Sequence, residues 1–213
     1  MKKYQNSTLE TVGMNQRNWS EQPVPDHHIE YLVNVAANTP TKQSNRYWNL
    51  LVLTNRHMIE TVFETTKCWD YHNKTWHYNT QMLAPLIMLW VKTKIDVGND
   101  SYYAESAEDN DDLLDTHQSV GISAGITAYE AAGLGYRIGF CRCFTDTGFA
   151  LEKIYNHTPF EAKKFRNGNY PGSAICLGLG IGLGKHDDPR ANHDNTDTYK
   201  PTDKCLPKIY YIK

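Results

Sequence analysis

The stretch Asn38-Thr39-Pro40-Thr41-Lys42-Gln43-Ser44-Asn45-Arg46-Tyr47-Trp48-Asn49-Leu50-Leu51-Val52-Leu53 joins two apolar patterns of different period through a polar loop. Upstream, Ile29, Leu32, Val33 and Ala36 recur at helical spacing, which predicts a helix opened by Pro25-Asp26 and running to about Ala37. Downstream, Leu50 to Leu53 form an unbroken apolar run, so a strand over Arg46–Thr54 is expected to be buried on both faces. The loop between them carries small hydroxyls, amides and the cations Lys42 and Arg46, held by two rigid elements. Ligand contacts concentrate on loops of that kind.

Working outward, the 213 residues suffice for one domain with a sizeable core, and a single domain over 1–213 is expected. A formal net charge of −2 carries no bulk signature of nucleic-acid binding. No run of 18 apolar residues suggests a membrane span, and Met1–Asn6 lacks the apolar stretch of a secretory signal. Five cysteines, at 68, 141, 143, 176 and 205, are odd in number and scattered. That pattern points to reduced thiols in the cytoplasm and not to a disulfide framework.

Before the helix at 26, Ser7 or Thr8 is expected to cap a short first helix, followed by a loop over Gly13–Trp19. A helix is expected at 57–68, an aperiodic aromatic and polar segment at 69–81, and a strand at 83–95 with Pro85 near its start. Seven acids and no lysine or arginine lie between Asp100 and Asp115. They read as a solvated loop or as the acid-rich start of a helix, and their spacing matches no calcium loop. An Ala/Gly-rich helix is expected at 116–134, its small residues at 121, 124, 125, 128, 131 and 132 allowing close helix packing. Gly135 is expected to be its left-handed cap. A short strand at 136–140, a helix at 146–156, a strand at 173–181 and a terminal strand at 206–212 complete the reading, with a C-terminal extension from about 185.

Gly178-Leu179-Gly180-Ile181-Gly182-Leu183-Gly184-Lys185 is neither a dinucleotide fingerprint nor a Walker loop, because its glycine spacing is wrong and His186 stands where Ser or Thr is required. It reads as a strand whose glycines permit close packing or close approach of a ligand. Cys141-Arg142-Cys143 has no second pair to complete a zinc site, and no base placed for a catalytic thiol, so both cysteines are expected to be buried and structural. No metal site is expected; the histidines at 186 and 193, among acids, read as solvated. His27 and His28 read as surface residues.

The opening loop resembles the flavin-contacting loop of the nitroreductase family, Pro40, Thr41, Ser44 and Trp48 standing where that family has Pro, Ser, Asn and Trp. Three further segments follow the family order. Asn79-Thr80-Gln81-Met82-Leu83-Ala84-Pro85 resembles the segment that contacts the flavin pyrimidine. Tyr129 to Arg142 resembles the Ala-Ala-x-x-Leu-Gly-Leu-Gly region, after which main-chain amides, here of Arg142 and Cys143, face flavin N5. Beyond the glycine-rich strand, Lys185 and Arg190 stand where basic residues reach the phosphate. The family's N-terminal Arg-x-Ser-x-Arg/Lys is altered: Gly13 and Asn15 replace the Arg and Ser, while Arg17 remains. The resemblance therefore implies FMN held by Asn15, Arg17, Pro40, Thr41, Lys42, Ser44, Asn79, Gln81, Arg142, Cys143, Lys185 and Arg190. It implies an α+β fold, a mainly antiparallel sheet flanked by helices, with the C-terminal strand exchanged across a homodimer. It also implies ping-pong transfer from NADH or NADPH to a small-molecule acceptor such as a nitroaromatic or quinone, with no catalytic side chain beyond the flavin. A flavin carrier, a dehalogenating or flavin-fragmenting branch, and a flavin-free dimer remain alternatives.

Overall fold

The computed structural model describes residues 7–45, 48–70, 74–92, 107–144, 154 and 175–185. Four helices are described: α1 (Ser7–Met14), α2 (Asp26–Ala37), α3 (Arg56–Glu64) and α4 (Ala107–Gly133). They accompany six strands: β1 (Trp48–Leu53), β2 (Cys68–Asp70), β3 (Thr75–His77), β4 (Leu86–Lys92), β5 (Arg137–Cys141) and β6 (Ile175–Gly182). The main sheet has the order β1-β4-β6-β5 and every pairing in it is antiparallel. This is the expected α+β arrangement.

The central strand β4 is buried along almost its whole length, as a strand covered on both faces must be. Alternate residues feed two cores. Ile87, Leu89 and Val91 pack with Met58, Ile59, Val62 and Met82 on the α3 side. Leu86, Met88 and Trp90 pack with Leu32, Ala36, Ala124 and Ala128 on the side of α2 and α4. Each fully buried side chain of this size contributes about 1.5–3 kcal/mol. Trp90 Nε1 donates to Ser123 Oγ at 3.0 Å, and that hydroxyl donates to the Ala36 carbonyl at 3.0 Å. One buried hydroxyl thus ties the sheet, α4 and α2 together, and leaves the indole N–H satisfied.

Local signals act as read at several ends. Gly135 has φ 91°. Its N–H reaches the Ala132 carbonyl, and the Tyr136 N–H reaches that of Ala131, both at 3.0 Å. This is the paired Schellman closure of a helix. The Asn55 side chain caps α3 by accepting from the Met58 N–H. Three expectations need correction. Helix α4 starts at Ala107, not 116, so the acids at 108–115 lie within it. The aperiodic segment at 69–81 contributes the hairpin β2–β3, register Trp69↔Trp76, then a 3-10 turn over Thr80–Leu83. His28 is half-buried, its Nδ1 sharing a hydrogen bond with Tyr136 Oη at 2.6 Å. The helix expected at 146–156 (save Ile154, which is helical and buried), the terminal strand, Arg190 and the histidines at 186 and 193 lie outside the described residues.

No helix among the described residues is long and apolar enough to cross a membrane.

Candidate cofactor site

The segment Asn15–Ser20 runs beside β5 and closes the sheet at that edge. The Gln16 N–H donates to the Ile138 carbonyl at 2.5 Å, and Asn15 Oδ1 accepts from the Phe140 N–H at 2.7 Å. Asn15 sits at φ 51°, a left-handed position that Asn tolerates better than most residues. Its carboxamide oxygen is thereby committed to the protein, and its NH₂ is the part that can face a ligand. Further along, Trp19 bridges Gly184, and the Lys185 N–H donates to the Asn18 carbonyl at 3.2 Å. Arg17 and the exposed Lys185 therefore flank the same short run of chain.

The glycines of β5 and β6 seat the second wall. A methyl at Gly180 would run into the Gln81 carbonyl, and one at Gly182 would come within 2.5 Å of Pro85 Cδ. A methyl at Gly139 would come within 2.5 Å of the Gln16 carbonyl and 3.0 Å of Gln81 Cβ. Of the two readings of the glycine-rich strand, close packing is the one observed: the bare strands let the 80–85 turn lie flat against the sheet. Trp19 Nε1 pins that turn from above, donating to the Thr80 carbonyl at 2.8 Å.

This packing buries Gln81 to 3% exposure, and its Oε1 has no hydrogen-bond partner among the described residues. A buried carboxamide acceptor left unpaired costs about 1–3 kcal/mol unless something donates to it. Asn79 is differently engaged. Its Nδ2 donates to the Thr66 carbonyl at 3.0 Å, while its own N–H donates to Thr66 Oγ1 at 3.0 Å. It anchors the end of α3, leaving its oxygen as the atom open to a ligand.

At the end of β5 the chain turns tightly, the Phe144 N–H donating back to the Arg142 carbonyl at 3.0 Å. Cys141 is buried as expected, but Cys143 is exposed, because it sits past the strand where the turn carries it out of the core. The pKa of Cys143 is pulled down to about 6, chiefly by the neighbouring Cys141 thiol; partial burial opposes the shift, and Arg17 and Arg142 assist it. The pKa of Cys141 is pushed up by Cys143 in turn and by burial. His117, on α4, is lowered by burial, then by Lys92 and Arg142.

The loop of Pro40, Thr41, Lys42 and Ser44 stands elsewhere. Thr41 Oγ1 donates to the Asn45 carbonyl at 2.9 Å, the Asn45 N–H reaches the Lys42 carbonyl at 3.1 Å, and Ser44 takes φ 56°. Lys42 Nζ pairs with Asp115 Oδ2 at 2.8 Å. An open groove of about 150 Å³ lies between this loop and α4, lined by Thr41, Lys42, Gln118, Ser119 and Ile122 among others. The loop enters β1 and the Arg142–Phe144 turn leaves β5, at the same end of the sheet but at its two opposite edges. Three strand spacings separate those edges, roughly 14 Å. The expected residues therefore form two groups: Asn15, Arg17, Gln81, Arg142, Cys143 and Lys185 strung along β5, and Pro40–Ser44 across the sheet.

Sequence reasoning missed Gln16, Asn18 and Trp19 as the residues that build the β5 wall. Only the bare Gly139 hints at them, and it does so only once its neighbours are known.

No protein-family model matches the chain, and no curated protein does. Solved structures match it over most of its length. The FMN-bound nitroreductase from Desulfitobacterium hafniense has TM-score 0.59 at 17% identity, covering 98% of this chain and 100% of that one. A nitroreductase family protein from Clostridium difficile has TM-score 0.58 at 15% identity, over 97% and 99%. The FMN-bound nitroreductase from Bacteroides fragilis has TM-score 0.54 at 13% identity, over 98% and 96%. The chain thus has the fold that these nitroreductases share.

Proposed function

We propose that this chain is an FMN-dependent oxidoreductase that accepts electrons from NADH or NADPH and passes them to a nitroaromatic, a quinone or a related small electrophile. The observation that carries the reading is Gln81 Oε1, a buried acceptor with no donor among the described residues, in the wall beside Arg17. The pyrimidine ring of a flavin presents an N–H, at N3, of the kind such an acceptor needs. When bound, FMN supplies the hydride and electron-transfer chemistry, and the protein contributes position and charge.

The residues divide that work. Arg17 and Lys185 offer positive charge to a phosphate, with Asn15 Nδ2 as a neutral donor and Arg190 as a further candidate cation. Gln81 orients the pyrimidine edge, and Asn79 holds the turn that carries Gln81. The main chain at Arg142 and Cys143 offers N–H donors at the end of β5. No side chain in this wall is required as a general base, since NADH or NADPH would supply the hydride and solvent the proton.

The loop Pro40–Ser44 lies across the sheet from this wall, which supports a site completed by a second copy of the chain. The outer face of α4 supports the same homodimer: Ile122, Ile126 and Tyr129 are exposed, and methyls at Gly121 and Gly125 would meet nothing within 4 Å. An exchanged strand over 206–212 belongs to this proposal. The odd, scattered cysteines support a reducing, cytoplasmic setting.

The test is the flavin content of the purified protein, with the released flavin identified by chromatography, followed by bleaching with NADH and NADPH under nitrogen. FMN that bleaches supports the reading. FAD, or failure to take up FMN on reconstitution, overturns it. Arg17→Ala should weaken FMN binding about ten- to a hundredfold, the loss of one charge-assisted contact of about 1.5–3 kcal/mol.

A further inference from the structure

We propose that the β2–β3 ribbon is a subsite for an electron-poor aromatic carboxylate, its ring stacked on Trp76 and its anionic group on Lys67. Asn79 fixes the root of the ribbon: its N–H donates to Thr66 Oγ1 and its Nδ2 to the Thr66 carbonyl, both at 3.0 Å. From that root the register runs Cys68↔His77, Trp69↔Trp76, Asp70↔Thr75. Continued inward, the same register sets Lys67 opposite Tyr78. Side chains alternate along a strand, so Trp76, Tyr78 and Lys67 fall on one side. The contacts agree: Lys67 Nζ lies 4.6 Å from the Trp76 ring centroid, and the Tyr78 ring centroid lies 5.2 Å from that of Phe63 on α3.

This side of the ribbon faces solvent. Trp76 is 53% exposed and Tyr78 37%, whereas Phe63 packs against the core. An indole left this open beside an ammonium offers an aromatic anion two things: the most electron-rich ring face among the side chains, and a charge to pair with. Lys67 is already held against the ring, so it loses little freedom when a carboxylate arrives. Lys74, exposed at the hairpin turn, adds positive charge. Among the described residues from Thr65 to Gln81 the one acid is Asp70, which pairs with Thr75 in the register set alternating with Trp76. A dinucleotide would bring two phosphates to the one ammonium on the ring, so a singly charged aromatic is the better match.

The ribbon stands on the turn that carries Gln81. Trp76 precedes Asn79 by three residues, about 10 Å of extended chain, and Trp19 Nε1 pins the Thr80 carbonyl that follows. Neither Trp76 nor Lys67 reacts; they select and orient an electron acceptor beside the wall. The class of ligand rests on the oxidoreductase reading, whereas the binding itself does not.

The full chain as purified, labelled with nitrogen-15, is titrated separately with 4-nitrobenzoate, nitrobenzene and AMP. The indole N–H resonance of Trp76, assigned by its absence in Trp76→Phe, is followed. 4-Nitrobenzoate should shift it saturably and bind more tightly than nitrobenzene. Lys67→Gln should weaken 4-nitrobenzoate about two- to fivefold and leave nitrobenzene unchanged, a split that a merely structural lysine would not produce. Trp76→Leu should weaken 4-nitrobenzoate about tenfold, read from broadening of the ligand's own resonances. An unmoved Trp76 resonance, equal affinity for the charged and the neutral ring, or a shift by AMP alone would overturn the proposal. The resonance reports binding whether or not flavin is bound, so failure here and failure of the FMN reading are separate results.

Discussion

The glycines of the β5–β6 pair and those of α4 are the same residue put to opposite uses. At Gly139, Gly178, Gly180 and Gly182 the place of a side chain is already taken by protein atoms. At Gly121 and Gly125 it is empty to 4 Å. In the strands, glycine lets one part of the chain lie against another and so builds the wall that carries Gln81. In the helix, where glycine costs about 1 kcal/mol relative to alanine, no contact among the described residues accounts for its presence. A bare strand is consumed by its own fold; the bare helix face is filled by none of the described residues.

The sharpest way to break this contrast is Gly180→Ala. Its methyl would have to displace the Gln81 backbone, which is rigid and cannot swing aside as a side-chain tip can. A loss of about 3 kcal/mol in urea unfolding is expected, as for an overpacked core. FMN uptake should fall with it. A variant as stable as the parent would show that the 80–85 turn does not rest on β6.

Replacing Gln81 by Leu probes the wall itself. An unpaired buried acceptor is exchanged for an apolar group of similar size, so the flavin-free chain should gain about 1 kcal/mol. Flavin affinity should drop about tenfold, since one hydrogen bond is lost. A flavin-free chain that instead loses stability would reveal a protein donor to Gln81.

Gly121→Ala and Gly125→Ala should have the smallest effect on the chain itself, a gain of up to about 1 kcal/mol each from helix propensity. The expected penalty lies in association, measured by sedimentation over a concentration series. If both variants are more stable and self-associate as the parent does, the α4 face is not where two copies meet.

Much of the fold was legible where a local rule acts alone. The helical period of Ile29 to Ala36, the apolar run at 50–53 and the φ-permissive Gly135 each act within a few residues, and each element lies where its signal stands. The reading failed where competition is decided at a distance. The helix expected from 116 begins at Ala107, so of the two readings of the acids the helix start is the one observed, on a helix anchored by Ser123 and Ala124 against the sheet. Trp69 and Trp76 show no strand period, because a three-residue ladder is too short to display one. Cys143 was taken as buried because cysteine usually is; a turn one residue beyond the strand reverses that.

By itself, the sequence determined most element types, the set of polar residues available to a ligand and, through its family resemblance, the antiparallel α+β class. Tertiary structure alone decided which of those residues meet. Gln81 becomes a buried acceptor only because β5 and β6 are bare beneath it, Lys42 is drawn to an acid 73 positions away, and Cys143 is turned out of the core that holds Cys141. Periodicity and propensity are properties of neighbours in the chain, whereas burial, charge pairing and close approach depend on neighbours in space, which packing selects.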